Sequence, residues 1–138
     1  MASLIYNKAI DALVRAGINF ASDAFKVMLV TSAYTPNKDT HEDRADVTNE
    51  VVGTGYTAGG VATTPTITLD TTNDRVDITF SNVSWANATI TARAAVIYKS
   101  TGVAANDTLI AYVDFGSDVS STNAAFAVTF SSALRFQN

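Results

Sequence analysis

From Val61 to Phe136 the chain is a succession of short runs in which apolar and polar residues alternate, each run closed by Gly, Asn, Asp, Ser or Thr. A period of two puts alternate side chains on opposite faces of a strand, so this half of the molecule reads as antiparallel sheet. Residues 75–80 show it most clearly, with Val76, Ile78 and Phe80 set against Asp77 and Thr79. A strand at 66–69 precedes it, and the intervening Asp70-Thr71-Thr72-Asn73-Asp74 predicts a hairpin. Val83 and Trp85 extend the pattern. Residues 88–98 are long and increasingly apolar, which predicts a central strand over 94–98, closed by Lys99-Ser100-Thr101-Gly102. Further strands are expected at 108–115, at 123–130 and, shorter, at 134–136. In the first of these both phases are partly apolar, so that sheet needs cover on each side, and a second subunit is one candidate cover.

Upstream, Val27, Met28, Leu29 and Val30 are consecutive apolar residues, which suggests a strand over 25–31 buried on both faces. Tyr34-Thr35-Pro36-Asn37 ends it, because proline fixes φ and asparagine favours a turn. Residues 34–60 then read as a long acidic loop with one helical turn near 42–45. At the N-terminus, Ser3 is placed to cap a helix in which Tyr6, Ala9, Ile10 and Leu13 share one face. Gly17 would stop it, giving a helix over about 3–16 that lies on one side of a sheet. The expected architecture is mainly β: one antiparallel β-sandwich domain spanning 1–138, with an N-terminal α-helix.

A chain of 138 residues with 47% hydrophobic and 16% charged residues can bury a conventional core, so disorder is excluded. With no cysteine, neither disulfides nor thiolate zinc sites are available. A net charge of −4 disfavours nucleic acid, whose binding draws on clustered Lys and Arg. No run approaches the roughly 18 apolar residues of a membrane span. Lys8, Asp11 and Arg15 interrupt the first segment, so neither a membrane helix nor a secretory signal is expected, and the product should stay in the cytoplasm of the cell that makes it.

The residues offer little chemistry. The single histidine, His41, sits among Asp39, Glu42, Asp43, Asp46 and Glu50, but the spacing that converges oxygens on a calcium ion is missing. A solvated acidic loop, partly offset by Arg44, is the simpler reading, with no metal and no cofactor. There is no G-x-S-x-G nucleophile motif, and one histidine in an acidic loop is a poor start for a triad, so no catalytic residue is assigned and no enzyme is expected. Gly53-Thr54-Gly55-Tyr56-Thr57-Ala58-Gly59-Gly60 lacks the Lys-Ser/Thr ending of a phosphate loop and reads as glycine turns holding Tyr56.

The stretches VMLVTSAYTPNKDTHEDRADVTNEVVGTGYTAGG (27–60), SWANATITARAAVIYKSTG (84–102) and LIAYVDFGSDVSS (109–121) together resemble a family of small virion structural proteins of tailed bacteriophages, several of which decorate capsids. The resemblance runs from Tyr6 to about Ser121. It departs from the family at Glu42-Asp43-Arg44, where aromatic residues often follow the Asp-Thr-His. It implies a capsid decoration, or cement, protein on the outer surface of the head, bridging copies of the major capsid protein, itself a homo-oligomer with a trimer as first expectation. The second reading is a tail or collar protein, including a carbohydrate-binding receptor tip built on Tyr34, Tyr56 and Trp85, although Trp85 reads more simply as core. Contact residues expected from the first helix and the long loop are Tyr6, Tyr34, His41, Arg44 and Tyr56.

Overall fold

The computed structural model describes residues 2–138. Its strands are β1 (Leu4–Ile5), β2 (Phe25–Val30), β3 (Val61–Thr63), β4 (Pro65–Asp70), β5 (Arg75–Phe80), β6 (Val83–Lys99), β7 (Leu109–Val128) and β8 (Leu134–Gln137), with one helix, α1 (Asn7–Val14). They form two antiparallel sheets, a five-stranded one in the order β1-β7-β6-β2-β3 and a three-stranded one in the order β4-β5-β8. The fold is therefore mainly β with an N-terminal helix, as the alternation implies.

The two strands expected at 108–115 and 123–130 are one 20-residue strand. The polar run between them, which reads as a loop, stays paired with β6 because the ladder absorbs extra residues at four register shifts. Asn87, Gly116 and Asn123 take positive φ near these shifts, and Asn and Gly tolerate that conformation best.

β2 is buried along nearly its whole length, because the large sheet has a core on each face. Val27 and Leu29 face one core with Phe20, Phe25, Ala95, Ile97 and Phe80. Met28 and Val30 face the other with Tyr34, Val96, Tyr98, Leu109 and Tyr112. The second sheet covers the first core through Ile78 and Phe80, and Phe80 meets Phe20 and Phe25 edge to face. Residues around the long loop, among them Tyr34 and Val47, cover the second.

The helix is shorter than expected. Ser3 is not its cap: the Ser3 hydroxyl accepts the Asp114 N–H, and Leu4 and Ile5 pair with Tyr112 and Ala111 at the edge of β7. That edge supplies backbone partners that an extra helical turn would forgo. Tyr6 is the N-cap residue, and the buried helical positions are Ala9 and Ala12. Small residues let the helix approach closely, which turns Ile10 outward to 46% exposure, contrary to the expected stripe.

The stop also differs by one residue. Ala16, not Gly17, takes the left-handed conformation, at φ 62°. The Gly17 N–H reaches Ala12 O at 2.7 Å and the Ala16 N–H reaches Leu13 O at 3.2 Å, the bonding of a Schellman end. An alanine there is strained, so Ala16→Gly is expected to stabilise the protein by about 1 kcal/mol, seen as a raised urea midpoint at unchanged slope.

The loop over 34–60 is held along its length. Thr31 N–H and Val51 N–H bond Asn49 O and Leu29 O, continuing the edge of β2 beyond β3. The helical turn expected at 42–45 is a single turn at Arg44–Asp46, and the Asp46 carboxylate that accepts the Glu42 and Asp43 N–H groups fixes its start.

Candidate interaction surfaces

The five residues singled out for contact divide into two networks. Tyr6 and Tyr34 are buried, and their hydroxyls lie 2.9 Å apart. Tyr34 Oη is also 2.9 Å from His41 Nδ1, and the two rings stack. Because the Asn37 N–H also points at His41 Nδ1, that nitrogen is the acceptor; Tyr34 then donates to it and Tyr6 donates to Tyr34. Burial pushes both phenols above their ordinary range, so the chain of hydroxyls is neutral. Its effect is to tie the start of α1 to the long loop.

Arg44 and Tyr56 belong to the second network. Arg44 Nε donates to Asp107 at 2.8 Å, and its guanidinium sits 5.4 Å from the Tyr98 ring centre. Tyr98 donates to Gly59 O, and burial pushes its hydroxyl up to about 12. Glu50 accepts both the Tyr56 hydroxyl at 2.7 Å and the Gly59 N–H at 2.6 Å, while Tyr56 in turn accepts the Leu29 N–H. These groups anchor the loop to the sheet. Tyr6 and Tyr34 therefore present no surface, and His41, Arg44 and Tyr56 are half-buried. Trp85 is core, packed between Tyr56 and Phe126.

The acidic loop residues are engaged separately. Asp39 accepts Asn7 Nδ2, Asp46 the two N–H groups above, and Glu50 the Tyr56 pair. Among the described residues no group of three or more His, Asp or Glu is arranged to hold a metal ion. Nor is any described helix long and apolar enough to cross a membrane.

The exposed surface carries a feature that the contact residues do not include. β5 pairs Ile78 with Ile67 and Leu134, and Val76 with Leu69 and Phe136, so these side chains share one face with Phe80. The opposite face is charged: Arg135 clasps Asp77 with two bonds, at 2.7 and 3.1 Å, and Arg75 lies 3.3 Å from both Asp70 and Asp77. Near its root the apolar face is covered, since Ile78 and Phe80 join the main core. Towards the hairpin it is not: Ile67 is 48%, Leu69 71% and Phe136 44% exposed. The small sheet is thus an arm whose apolar face outruns its own core. A cleft of about 570 Å³ adjoins its root, lined by Leu4, Ile5, Val113, Phe130 and Leu134 among others. The alternation at 66–69 and 75–80 signals the face; how far the large sheet extends beneath it has no local sequence signal.

At the mouth of that cleft Asp114 accepts Arg93 Nε at 2.8 Å and the Gly116 N–H at 3.0 Å, and the arginine holds its carboxyl down at about 2. No family model, curated protein or solved structure matches the chain.

Proposed function

We propose that the protein is a structural component of a tailed-phage virion: a capsid decoration protein that binds the outer surface of the head and bridges neighbouring copies of the major capsid protein. The observation that carries this reading is the uncovered apolar face of the arm, a strand-paired apolar surface of a kind that marks protein contacts. The sequence resemblance supplies the class of partner. A protein that binds only the expanded shell stabilises that state by mass action, and many copies sum weak contacts. Three copies around a local three-fold position is the stoichiometry favoured. The receptor-tip reading loses two of its three aromatics, since Tyr34 and Trp85 are buried.

The test is cryo-electron microscopy of virions with and without the protein, together with thermal melting of the heads. Density on the outer head surface and a lower melting temperature without the protein are expected. Density confined to the tail or collar, or no density in any particle, overturns the proposal.

A further inference from the structure

The two sheets leave several strand edges open, and one of them lacks the usual guards. β1, β3 and β8 have two, three and four residues, β8 carries Arg135, and β7 beyond β1 is bent where Gly116 and Asn123 take positive φ. Short length, charge and bulges of this kind discourage pairing with another chain. β4 is six residues long, and the chain carries no charge from Val61 to Leu69.

Which backbone groups that edge offers follows from the ladder. The Ser81 N–H donates to Thr64 O at 3.0 Å, so by alternation Thr66, Thr68 and Asp70 turn their backbone groups towards β5, while Pro65, Ile67 and Leu69 turn theirs away. The Asn138 N–H donates to Asp74 O at 3.0 Å, which fixes the same phase from the other side of β5, since it sends the groups of Val76 and Ile78 to β8. Pro65, with no N–H to donate, lies on the open edge, where a sheet tolerates proline. The outward N–H and C=O groups of Ile67 and Leu69 have no partner among the described residues.

We infer that this edge pairs with the same edge of a second copy, antiparallel about a two-fold axis at Thr68, joining two three-stranded sheets into one. In that register Ile67 lies opposite the partner's Leu69 and the reverse, so every outward N–H of the two residues meets an outward carbonyl. An axis at Ile67 instead sets each Leu69 carbonyl against Pro65, which has no donor for it. The axis at Thr68 also places threonine against threonine, and Asp70 against Thr66, so no like charges face each other. This self-match selects a second copy over an unrelated strand. The inference stands on the edge alone and does not rest on the head-binding reading, so it is tested on purified protein without heads.

The experiment uses the full chain, which has no cysteine, and three single variants. Across the axis the two Thr68 residues form a non-hydrogen-bonded pair, with Cα atoms about 4.5 Å apart, within the span of a disulfide. Thr68→Cys is therefore expected to oxidise to a covalent dimer at least about 10-fold faster than Thr66→Cys at equal concentration. Ile67→Pro removes an N–H that points away from β5, so it is expected to keep the wild-type circular dichroism. Its dimer, read by light scattering and native mass spectrometry over a concentration series, is expected to be at least about 10-fold weaker than that of wild type. A wild type that stays monomeric throughout the series, or equal oxidation rates for the two cysteine variants, overturns the inference and leaves the edge to a strand of another kind. An Ile67→Pro protein that dimerises like wild type overturns it too. If the proline disturbs folding, the two cysteine variants decide, since both threonines are exposed.

Discussion

Replacing Gly60 with alanine is expected to cost about 3–5 kcal/mol, enough to leave a domain of this size largely unfolded. Gly60 has φ +77°, and a Cβ built there stands 1.8 Å from Val27 O and 2.8 Å from Met28 Cα. Those are backbone atoms of β2, buried between both cores, so no rotamer relieves the overlap. The chain would have to lift β3 off β2, breaking the pairing of Val61 with Val27, and pull Gly59 away from Glu50 and Tyr98. Gly102 is the control: its φ is +89°, yet a Cβ there meets nothing within 4 Å. Gly102→Ala should therefore show only the conformational penalty, about 1 kcal/mol. Urea unfolding followed by circular dichroism compares the two. Equal losses would mean that close approach of the two backbones is not what position 60 requires.

That glycine also shows what the sequence makes legible. The Gly-Gly pair at 59–60 announces a turn, and the turn is there, but only the tertiary structure says that β2 passes beneath it. The same division holds elsewhere. Four consecutive apolar residues at 27–30 announce a strand covered on both faces, because burial on each side leaves its mark on every position. Polar residues 116–123 conceal the continuity of β7, since pairing with β6 is a property of the partner strand and the bulges between them. The helix is legible in kind, while its buried face is not, because Ala9 and Ala12 carry too little hydrophobicity to outvote Ile10. For the surface the loss is greater. Aromatic and charged residues of the long loop look available for contact, yet Tyr6 and Tyr34 bury their rings and spend their hydroxyls on one another. The arm face is half legible: alternation assigns Ile67, Leu69 and Val76 to an apolar side without saying that the core beneath them ends.

Arg44→Met is expected to cost about 3–5 kcal/mol near neutral pH. Asp107 is fully buried, and its two carboxylate oxygens divide their work: Oδ2 accepts Arg44 Nε, while Oδ1 accepts the Thr101 N–H at 2.6 Å and the Thr101 hydroxyl at 2.7 Å. The Arg44 N–H adds a bond to Asp107 O at 2.8 Å, so this pair joins the long loop to the connection between β6 and β7. Burial pushes the Asp107 carboxyl up, but the Thr101 donors and Arg44 outweigh it and hold it below its ordinary value. Its contribution to stability is accordingly present above the ordinary carboxylate range, about pH 4, and fades as the pH falls through the depressed value. Methionine keeps an unbranched stem but removes the countercharge, leaving the buried carboxylate with only Thr101. The group then protonates at a higher pH than in wild type. The gap between variant and wild type should be widest at neutral pH and narrow as the pH falls, first through the range where the variant's carboxyl protonates and then down to the depressed value of the wild type, below which the group is neutral in both. Adding Asp107→Leu to Arg44→Met removes the stranded charge, and the double variant should recover a large part of the loss, because exchanging both members of a buried pair for apolar groups is often close to neutral. Urea midpoints for the three proteins, measured from neutral pH to pH 3, check both expectations. A loss that does not change with pH, or a double variant no more stable than Arg44→Met, would show that the arginine acts through packing on Tyr98 and not through its charge on Asp107.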